Sequence, residues 1–501
     1  MKLKKATALV MAAAMSLGMF GSVTASAEED IYEIVVQFPT LGTTPPDLQK
    51  VEDAINERLE PEIGAHITFY PVSAYETNNT TSLMVSSGEK LDLAISIFEG
   101  GVSNYVNSGM IMELDDLVEE YGQDILAAEG IAMAGGYFKG SLYGIPAEDK
   151  MGRVYAFEAR KDLLDKYGIE YDENKIYTAD ELTEIFRVVQ EGEGDGFHCI
   201  AANGSEDPIF SYLDHTDRLG ASYASGVLMN YGEEDSEIVN YFDTEEFENY
   251  CNTVRTWFEE GFLSQDCNTV TDSTLVQMQT GNYLGMFSSA EPDMIMNHSR
   301  AMQDYIGTDM VPLYTSEPAS MTHMYQVTQW MIPITCENPE KTMEFLNLTY
   351  KDADLLNLIY RGIEGEHYVF RDGSDRLIDY PEGIDSSNTP YSVILNVWGD
   401  KTLDYQLPPM DESYFTEMEE FNNSISKQSV ALGYCFNTEP VRTQYAAVND
   451  VITQYESVLG MGVVDPETTL ETFRSALDAA GIDEVIAENQ RQYDEWKATQ
   501  E

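Results

Sequence analysis

One short segment indicates where the chain passes from its first structural unit to its second. It reads Lys139-Gly140-Ser141-Leu142-Tyr143-Gly144-Ile145-Pro146-Ala147-Glu148. The Lys-Gly pair is typical of a turn, and the apolar residues after it predict a short strand. Proline ends that strand because it has no backbone N–H to offer a sheet. We expect a new pair of structural elements to begin after this segment, and therefore a chain of two lobes.

The first 27 residues have the pattern of a secretion signal. Lys2, Lys4 and Lys5 precede an apolar run over residues 6–23, and Ala25-Ser26-Ala27 fits the rule for cleavage sites. An uncleaved membrane anchor is the alternative, but the run is short for a stable span. No cysteine stands at the cleavage point, so no lipid anchor is expected there. We expect a protein secreted across the cytoplasmic membrane, periplasmic or associated with the cell surface.

Length and charge limit the classes of function. Cleavage would leave 474 of the 501 residues, more than one hydrophobic core usually supports. The whole chain carries 88 acidic and 28 basic residues, a formal net charge of −60. Such a surface repels nucleic acid and anionic membranes, which argues against nucleic-acid partners. It also favours neutral or cationic small ligands over anions.

The spacing of the cysteines and the lack of known catalytic motifs in the sequence give little support to an enzyme or a metalloprotein. The five cysteines contain no C-x-x-C pair; Cys251 and Cys267 could form a disulfide, or most of the five could be small buried apolar residues. No nucleophile elbow, H-E-x-x-H, P-loop or dinucleotide fingerprint occurs. We predict no catalytic residue, metal site or cofactor. Two acidic stretches, near Asp172 and Asp372, have some calcium-loop character without the EF-hand spacing.

The hydrophobic pattern predicts an α/β fold. Residues 31–36 and 65–70 are predicted strands that flank a helix starting near Asp47. Residues 91–97 are almost wholly apolar, as in a parallel strand covered on both faces, and glycines follow at 100 and 101. Ligands of such sheets bind beyond the carboxyl ends of the strands. We therefore expect ligand-binding residues at those ends.

Five segments, in order, resemble the extracellular solute-binding proteins of ABC importers, specifically family 1, the carbohydrate or maltose type. They are SGEKLDL at 87–93, SGMIMELDDL at 108–117, LYGIP at 142–146, RKDLL at 160–164 and NPEKTMEFL at 338–346. The C-terminal part, with GIEGEHY at 362–368 and AAGID at 479–483, is similar to a lipoprotein-like subgroup from Firmicutes. The chain departs from that subgroup because it has no lipidation cysteine.

The resemblance implies a two-lobed periplasmic-binding-protein-like fold (type II), whose lobes are joined by crossing strands at a hinge. Crossings are expected at 145–155, 325–333 and between about 370 and 391. The first lobe would comprise residues 28–147 and 325–375, and the second lobe 148–324 and 376–501. The resemblance implies a monomer that traps a small polar ligand by hinge closure. We expect this ligand to be an oligosaccharide, which the protein delivers to the membrane subunits of an ABC permease.

Sugar binding requires aromatic faces for the ring and carboxylates or amides for the hydroxyl groups. The candidate ligand-binding residues lie at predicted strand ends and crossings. Each aromatic candidate could instead pack in a hydrophobic core. The first-lobe and crossover candidates are Phe38, Thr40, Ser96, Phe98, Glu99 and Glu148. The remaining candidates are Glu206, Asp207, Phe210, Tyr212, Ser289, Glu291, Trp330 and Trp398.

Two other functions remain open at this stage. A secreted glycoside hydrolase needs only two suitably spaced carboxylates, which any acidic chain can supply. A peptide-binding protein or a receptor could use the same two-lobed fold without transporting sugar. The sequence pattern alone does not separate either from an importer component.

Overall fold

The structure is a computed structural model in which eight stretches of the chain are described. They are residues 31–98, 101–147, 150–172, 174–204, 208–220, 222–233, 235–292 and 306–500. The predicted signal peptide lies outside them. None of the helices in this described part combines the length and apolar character that a membrane span requires.

Seventeen strands are described in these stretches, many of them only two to four residues long. They are β1 (Tyr32–Thr40), β2 (Ala65–Ser73), β3 (Ala94–Ile97), β4 (Tyr137–Phe138), β5 (Ser141–Leu142), β6 (Ile145–Pro146), β7 (Tyr155–Arg160), β8 (His198–Ala201), β9 (Thr216–Arg218), β10 (Val227–Met229), β11 (Tyr283–Ser289), β12 (Met310–Tyr314), β13 (Ala319–Ser320), β14 (Thr328–Met331), β15 (Val369–Phe370), β16 (Ile378–Asp379) and β17 (Lys427–Gln428).

The α-helices alternate with the strands in the first two-thirds of the chain and dominate its C-terminal third. They are α1 (Leu48–Ile63), α2 (Thr77–Ser87), α3 (Ser103–Asn107), α4 (Asp115–Tyr121), α5 (Gln123–Glu129), α6 (Lys161–Lys166), α7 (Ala179–Glu193), α8 (Glu245–Glu259), α9 (Thr274–Gln279), α10 (Pro339–Leu348), α11 (Ala353–Arg361), α12 (Ser413–Ser424), α13 (Arg442–Gly460), α14 (Pro466–Ala480) and α15 (Ile482–Lys497).

The first lobe is built on a mixed sheet in the order β2-β1-β3-β14-β6. Strands β1 and β2 are parallel, and a parallel bridge between Val36 and Leu93 joins β1 to the segment that leads into β3. Strand β14 runs antiparallel to both β3 and β6. The predicted all-apolar strand is therefore central, and β14 returns to this sheet from the second lobe.

The second lobe is built on a four-stranded sheet in the order β12-β7-β11-β8. Strand β11 pairs with β8 in parallel and with β7 in antiparallel orientation. Helix α7 covers this sheet and begins with a capping box, in which the side chains of Thr178 and Glu181 each accept a hydrogen bond from the other's backbone N–H. The predicted α/β class is confirmed for both lobes.

Two corrections concern the segment between residues 363 and 421. Tyr391, Val397 and Trp398 pack in the core of the first lobe, so the predicted change of lobe at residue 376 comes too early. The crossing expected between 370 and 391 is absent from those described residues, because Ile378 N donates to Gln406 O within the first lobe. Helix α12 makes the crossing instead.

Helix α12 touches one lobe at its beginning and the other at its end. Glu412, directly before it, accepts a hydrogen bond from Ser374 of the first-lobe segment at 2.7 Å. Near its end, Phe421 packs with Val154 and Ala156 of the second lobe. The third connection between the lobes is therefore a helix rather than an extended strand.

The C-terminal helices pack on the second lobe. Val448 of α13 and Phe473 of α14 share a core with Phe247 of α8. Gly481, at φ 95°, separates α14 from α15. All five cysteines are free and buried, so the possible Cys251–Cys267 disulfide is not formed.

Candidate functional site

Three chain segments of the first lobe meet at one edge of its sheet. Ile97, the last residue of β3, is paired with Thr328, the first residue of β14. The backbone N–H of Ala147, directly after β6, donates to Thr328 O at 3.0 Å. The carboxyl ends of β3 and β6 and the start of β14 therefore lie side by side, where the chain crosses to the second lobe.

The second lobe presents a matching edge. Tyr155 at the start of β7 pairs with Ser289 at the end of β11, and Tyr314 at the end of β12 pairs with Ala156. The crossing segments 147–154 and 315–327 connect this edge to the edge of the first lobe. The resemblance predicts the ligand-binding cleft between these two edges.

An exposed pair of aromatic rings stands at the first-lobe edge. Phe98 follows β3 and Tyr75 follows β2; their ring centroids lie 5.7 Å apart with an interplanar angle of 23°. Phe98 is 57% exposed and Tyr75 is 73% exposed. Water-exposed stacked rings offer a flat apolar surface of the kind that the CH face of a sugar covers.

The backbone of Phe98 is strained. Its φ of 62° lies in the left-handed region, which a side chain with a Cβ adopts at a cost of about 1–2 kcal/mol. Gly101, three residues further on, has φ 98°, and an added Cβ there would approach the Cys435 sulfur to 2.9 Å. Gly101 thus lies close to the C-terminal segment that contains Cys435. Strain of this kind is concentrated at functional sites.

The second-lobe side of the cleft contains a buried carboxylate. Glu291 follows β11, is 1% exposed, and accepts a hydrogen bond from Val154 N at 3.4 Å. One of its oxygens lies 3.5 Å from Nε of Arg153, a residue of the first crossing. Glu291 therefore ties the crossing to the second sheet, and its predicted contact with a ligand is not supported by this placement.

Tyr212 and Ser289 are half-buried at the same edge. The Tyr212 ring packs edge-on against Tyr155 at 5.6 Å and parallel to Phe287 at 6.3 Å. Burial raises the pKa of Tyr155. These aromatic groups form an apolar wall behind the strand ends, with Ser289 at its rim.

A polar network fixes the second crossing to the second lobe. Asp217 accepts hydrogen bonds from both the backbone N–H and the hydroxyl of Thr322. Arg218 donates to Nε2 of His323 at 3.4 Å, and Nδ1 of His323 lies 3.5 Å from Asp217. Burial, together with the nearby Arg218, lowers the pKa of His323 to about 4. The ring is therefore neutral at physiological pH.

A second buried acid lies behind this network. Burial raises the pKa of Asp214 to about 7, although the hydroxyl of Tyr223 donates to it. The guanidinium of Arg218 covers the Tyr223 ring at 4.9 Å. Asp214 and His323 thus have pKa values shifted in opposite directions within one hinge region.

Four predicted ligand residues are instead core residues. Phe38 and Trp398 are at most 1% exposed and pack together with Phe69. Trp330 is fully buried, and its indole N–H donates to Val397 O at 2.6 Å. Phe210 is 1% exposed among the aromatic rings of the second lobe. Core packing, the alternative reading of each aromatic candidate, is correct for these four.

The remaining candidates divide into two groups. Thr40 ends β1 and its hydroxyl donates to Val72 O at 3.2 Å, whereas Ser96 is buried and its hydroxyl has no hydrogen-bond partner among the described residues. Four carboxylates lie outside the described residues and stay predictions: Glu99, Glu148, Glu206 and Asp207.

Tyr75 was missed by the sequence analysis. The rule used for β1 and β3, that ligand groups follow the carboxyl ends of parallel strands, applies equally to β2. Tyr75 lies two residues after the end of β2, so the same rule selects it as a candidate ligand-binding residue. Of the sequence candidates, Phe98 is the one aromatic residue among those described that is exposed by more than half.

The two lobes, their three connections and the cleft between strand ends define the fold of the two-lobed extracellular solute-binding proteins. The chain is 24% identical to a carbohydrate ABC transporter substrate-binding protein of Streptococcus pneumoniae, over 98% of this chain and 97% of that protein. Residues 430–498 match a family model described as a domain of unknown function, DUF3502. The resemblance drawn from the five sequence motifs is confirmed.

Solved structures agree with this fold. The N-glycan transport solute-binding protein NgtS of S. pneumoniae superposes with a TM-score of 0.80 at 20% identity, over 94% of this chain and all of that chain. The same protein in complex with Man5GlcNAc gives a TM-score of 0.68 at 20% identity, over 94% of this chain and 99% of that one. These similarities establish the fold.

Proposed function

We propose that the protein is the extracellular substrate-binding component of a carbohydrate ABC transporter. It captures a neutral oligosaccharide between its lobes, closes by rotation about the three connections and delivers the sugar to a permease. The relatives named above act as substrate-binding proteins, and one of them has been solved with an oligosaccharide. The predicted secretion signal fits a site of action outside the cytoplasmic membrane.

The observation that carries this proposal is the exposed Tyr75–Phe98 pair. It lies at the strand ends where ligands of such sheets bind, and a strained backbone at Phe98 holds one ring outward. Exposed aromatic rings cost solvation free energy, which a sugar face can recover on binding. The high negative charge of the chain favours a neutral ligand over an anionic one.

Binding without catalysis is part of the same proposal. The relatives are transport proteins, and two of the described acidic residues of this region are used structurally: Glu291 accepts a hydrogen bond from Val154 N, and Asp217 accepts one from Thr322. A glycosidase would need one such carboxyl group free to protonate a leaving oxygen. We therefore rank glycoside hydrolysis below sugar binding as the function of the protein.

A thermal-shift screen of residues 28–501 against neutral oligosaccharides, peptides and calcium tests the proposal. A ligand at 100 times its Kd stabilises the protein by about 2.7 kcal/mol. The Tyr75→Ala and Phe98→Ala variants should weaken a sugar hit about tenfold. Tyr137→Ala, which removes an exposed tyrosine from the β4–β5 hairpin of the same lobe, is the control. Cleavage products of the bound sugar, or peptide hits alone, would contradict the proposal.

A further inference from the structure

A large cavity lies beside helix α12, away from the Tyr75–Phe98 pair. Its volume is about 990 Å³, at the upper end of the range for small-molecule sites. One wall is the first-lobe segment around Arg376 and Tyr405, and the other is the inner face of α12. Because α12 also packs on the second lobe, the cavity lies beside one of the connections between the lobes.

Both walls of this α12 cavity are anchored to the first crossing. Lys401 Nζ donates to the carbonyl oxygen of Ala147 at 3.0 Å. From the other wall, Asn422 Oδ1 accepts the backbone N–H of Met151 at 2.9 Å. Ala147 follows the end of β6, so the cavity reaches the same edge of the first sheet as the cleft.

The lining has the two kinds of group that sugars need. Phe415 is held in place by the guanidinium of Arg376, which lies 3.3 Å from its ring centroid, and the rings of Tyr405 and Tyr414 are close by. Glu419 and Asn423 add a carboxylate and an amide, one turn apart on α12. Aromatic rings can cover a sugar face while acidic and amide groups accept and donate to its hydroxyls.

The charges of the cavity argue for a neutral ligand. Lys401 is 7% exposed and donates to a backbone carbonyl, and Arg376 donates to Thr402 O at 2.5 Å besides covering Phe415. Asp375 and Glu419, by contrast, are exposed and form no ion pair with a described residue. The two cationic side chains already donate to backbone carbonyl oxygens, whereas the two carboxylates are available to accept hydrogen bonds from a ligand. This arrangement disfavours an anionic ligand and suits the hydroxyl groups of a neutral one.

We propose that the α12 cavity is a further carbohydrate subsite. It takes sugar rings beyond those on the Tyr75–Phe98 pair, so the protein binds longer oligosaccharides more tightly than short ones. The inference rests on the proposed function, because it concerns the length of the same class of ligand.

Calorimetric titration with neutral gluco-, manno-, galacto- and fructo-oligosaccharide ladders of two to six residues tests the inference. For the ladder that binds, affinity of the wild type should rise with chain length. Glu419→Gln and Asn423→Ala should each lower affinity for the longest members about tenfold and leave the shortest unchanged. Glu420→Gln, the exposed neighbour that does not line the cavity, is the matched control and should bind every length normally.

The outcomes separate the subsite from the function itself. Affinity independent of length in the wild type, or equal loss for short and long sugars in both variants, overturns the subsite and leaves the proposed function standing. Absence of binding for every ladder overturns both. Because Glu419 and Asn423 are exposed on a helix, their variants should fold, and an unchanged melting temperature verifies this.

Discussion

The indole rings of Trp330 and Trp398 lie 4.3 Å apart between centroids, both fully buried under the first sheet. Trp330 belongs to β14, which returns from the second lobe, and Trp398 belongs to the long segment between α11 and α12. Their contact fastens that segment to the sheet edge at which the lobes are joined. The pair is therefore a structural support of the hinge rather than a sugar platform.

Trp398→Ala should destabilise the protein without a specific effect on ligand contact. Removing a fully buried tryptophan costs about 3–5 kcal/mol in lost burial and cavity formation. Urea unfolding would measure this loss, and Trp398→Phe should cost distinctly less. If Trp398→Ala kept wild-type stability but lost sugar binding, Trp398 would return to the list of ligand residues.

Phe98→Gly should separate ligand binding from stability. Glycine adopts a φ of 62° without strain, so the free energy of unfolding should stay within about 1 kcal/mol of the wild type. Affinity for the sugar should fall about tenfold because one ring of the exposed pair is lost. Unfolding and titration measurements on the same preparation check both statements. A large loss of stability would show that Phe98 has a packing role instead.

His323 should make the protein less stable in mild acid. Its folded-state pKa of about 4 lies below the ordinary histidine pKa of 6.5, so the unfolded chain takes up the proton first as pH falls. Stability that is complete above pH 6.5 is lost between 6.5 and 4, by up to about 3 kcal/mol. Asp217, Arg218 and Arg153 are the charged groups around this ring. His323→Gln should abolish that part of the pH dependence in urea unfolding; an unaltered profile would refute it.

Asp214 should act in the opposite direction over a similar range. Its pKa is raised from 3.8 to about 7 by burial, so the folded state holds a proton that the unfolded chain has released. The stability from this group is complete below pH 3.8 and is lost as pH rises to 7, by up to about 4 kcal/mol. Asp214→Asn, which stays neutral, should remove this loss. Measuring the free energy of unfolding of the wild type and of Asp214→Asn at pH 5 and pH 7 tests this prediction.

Much of the first lobe follows from local sequence pattern. Strands β1, β2 and β3 are predicted from apolar runs. These features depend on neighbours in sequence, where periodicity and turn residues act directly. The same is true of Phe98, whose position at a strand end was enough to select it.

The candidate site was harder to predict because burial depends on distant partners. Nothing near Trp330 indicates that a backbone carbonyl 67 residues away would satisfy its indole N–H. The segment before α12 has two strands of two residues each, β15 and β16, so no periodicity revealed that it stays with the first lobe. The α12 cavity arises from that segment and was therefore invisible in the sequence.

The five thiols have a practical consequence. Each is buried, and burial raises the thiol pKa, to about 11 for Cys267 and about 12 for Cys251, Cys336 and Cys435. A protonated, enclosed thiol reacts slowly with oxidants and alkylating agents. The native fold therefore needs no oxidising compartment and no disulfide catalyst. The rate at which each cysteine is alkylated therefore measures how often the lobe around it opens. Cys336 reports on the first lobe and Cys251 on the second.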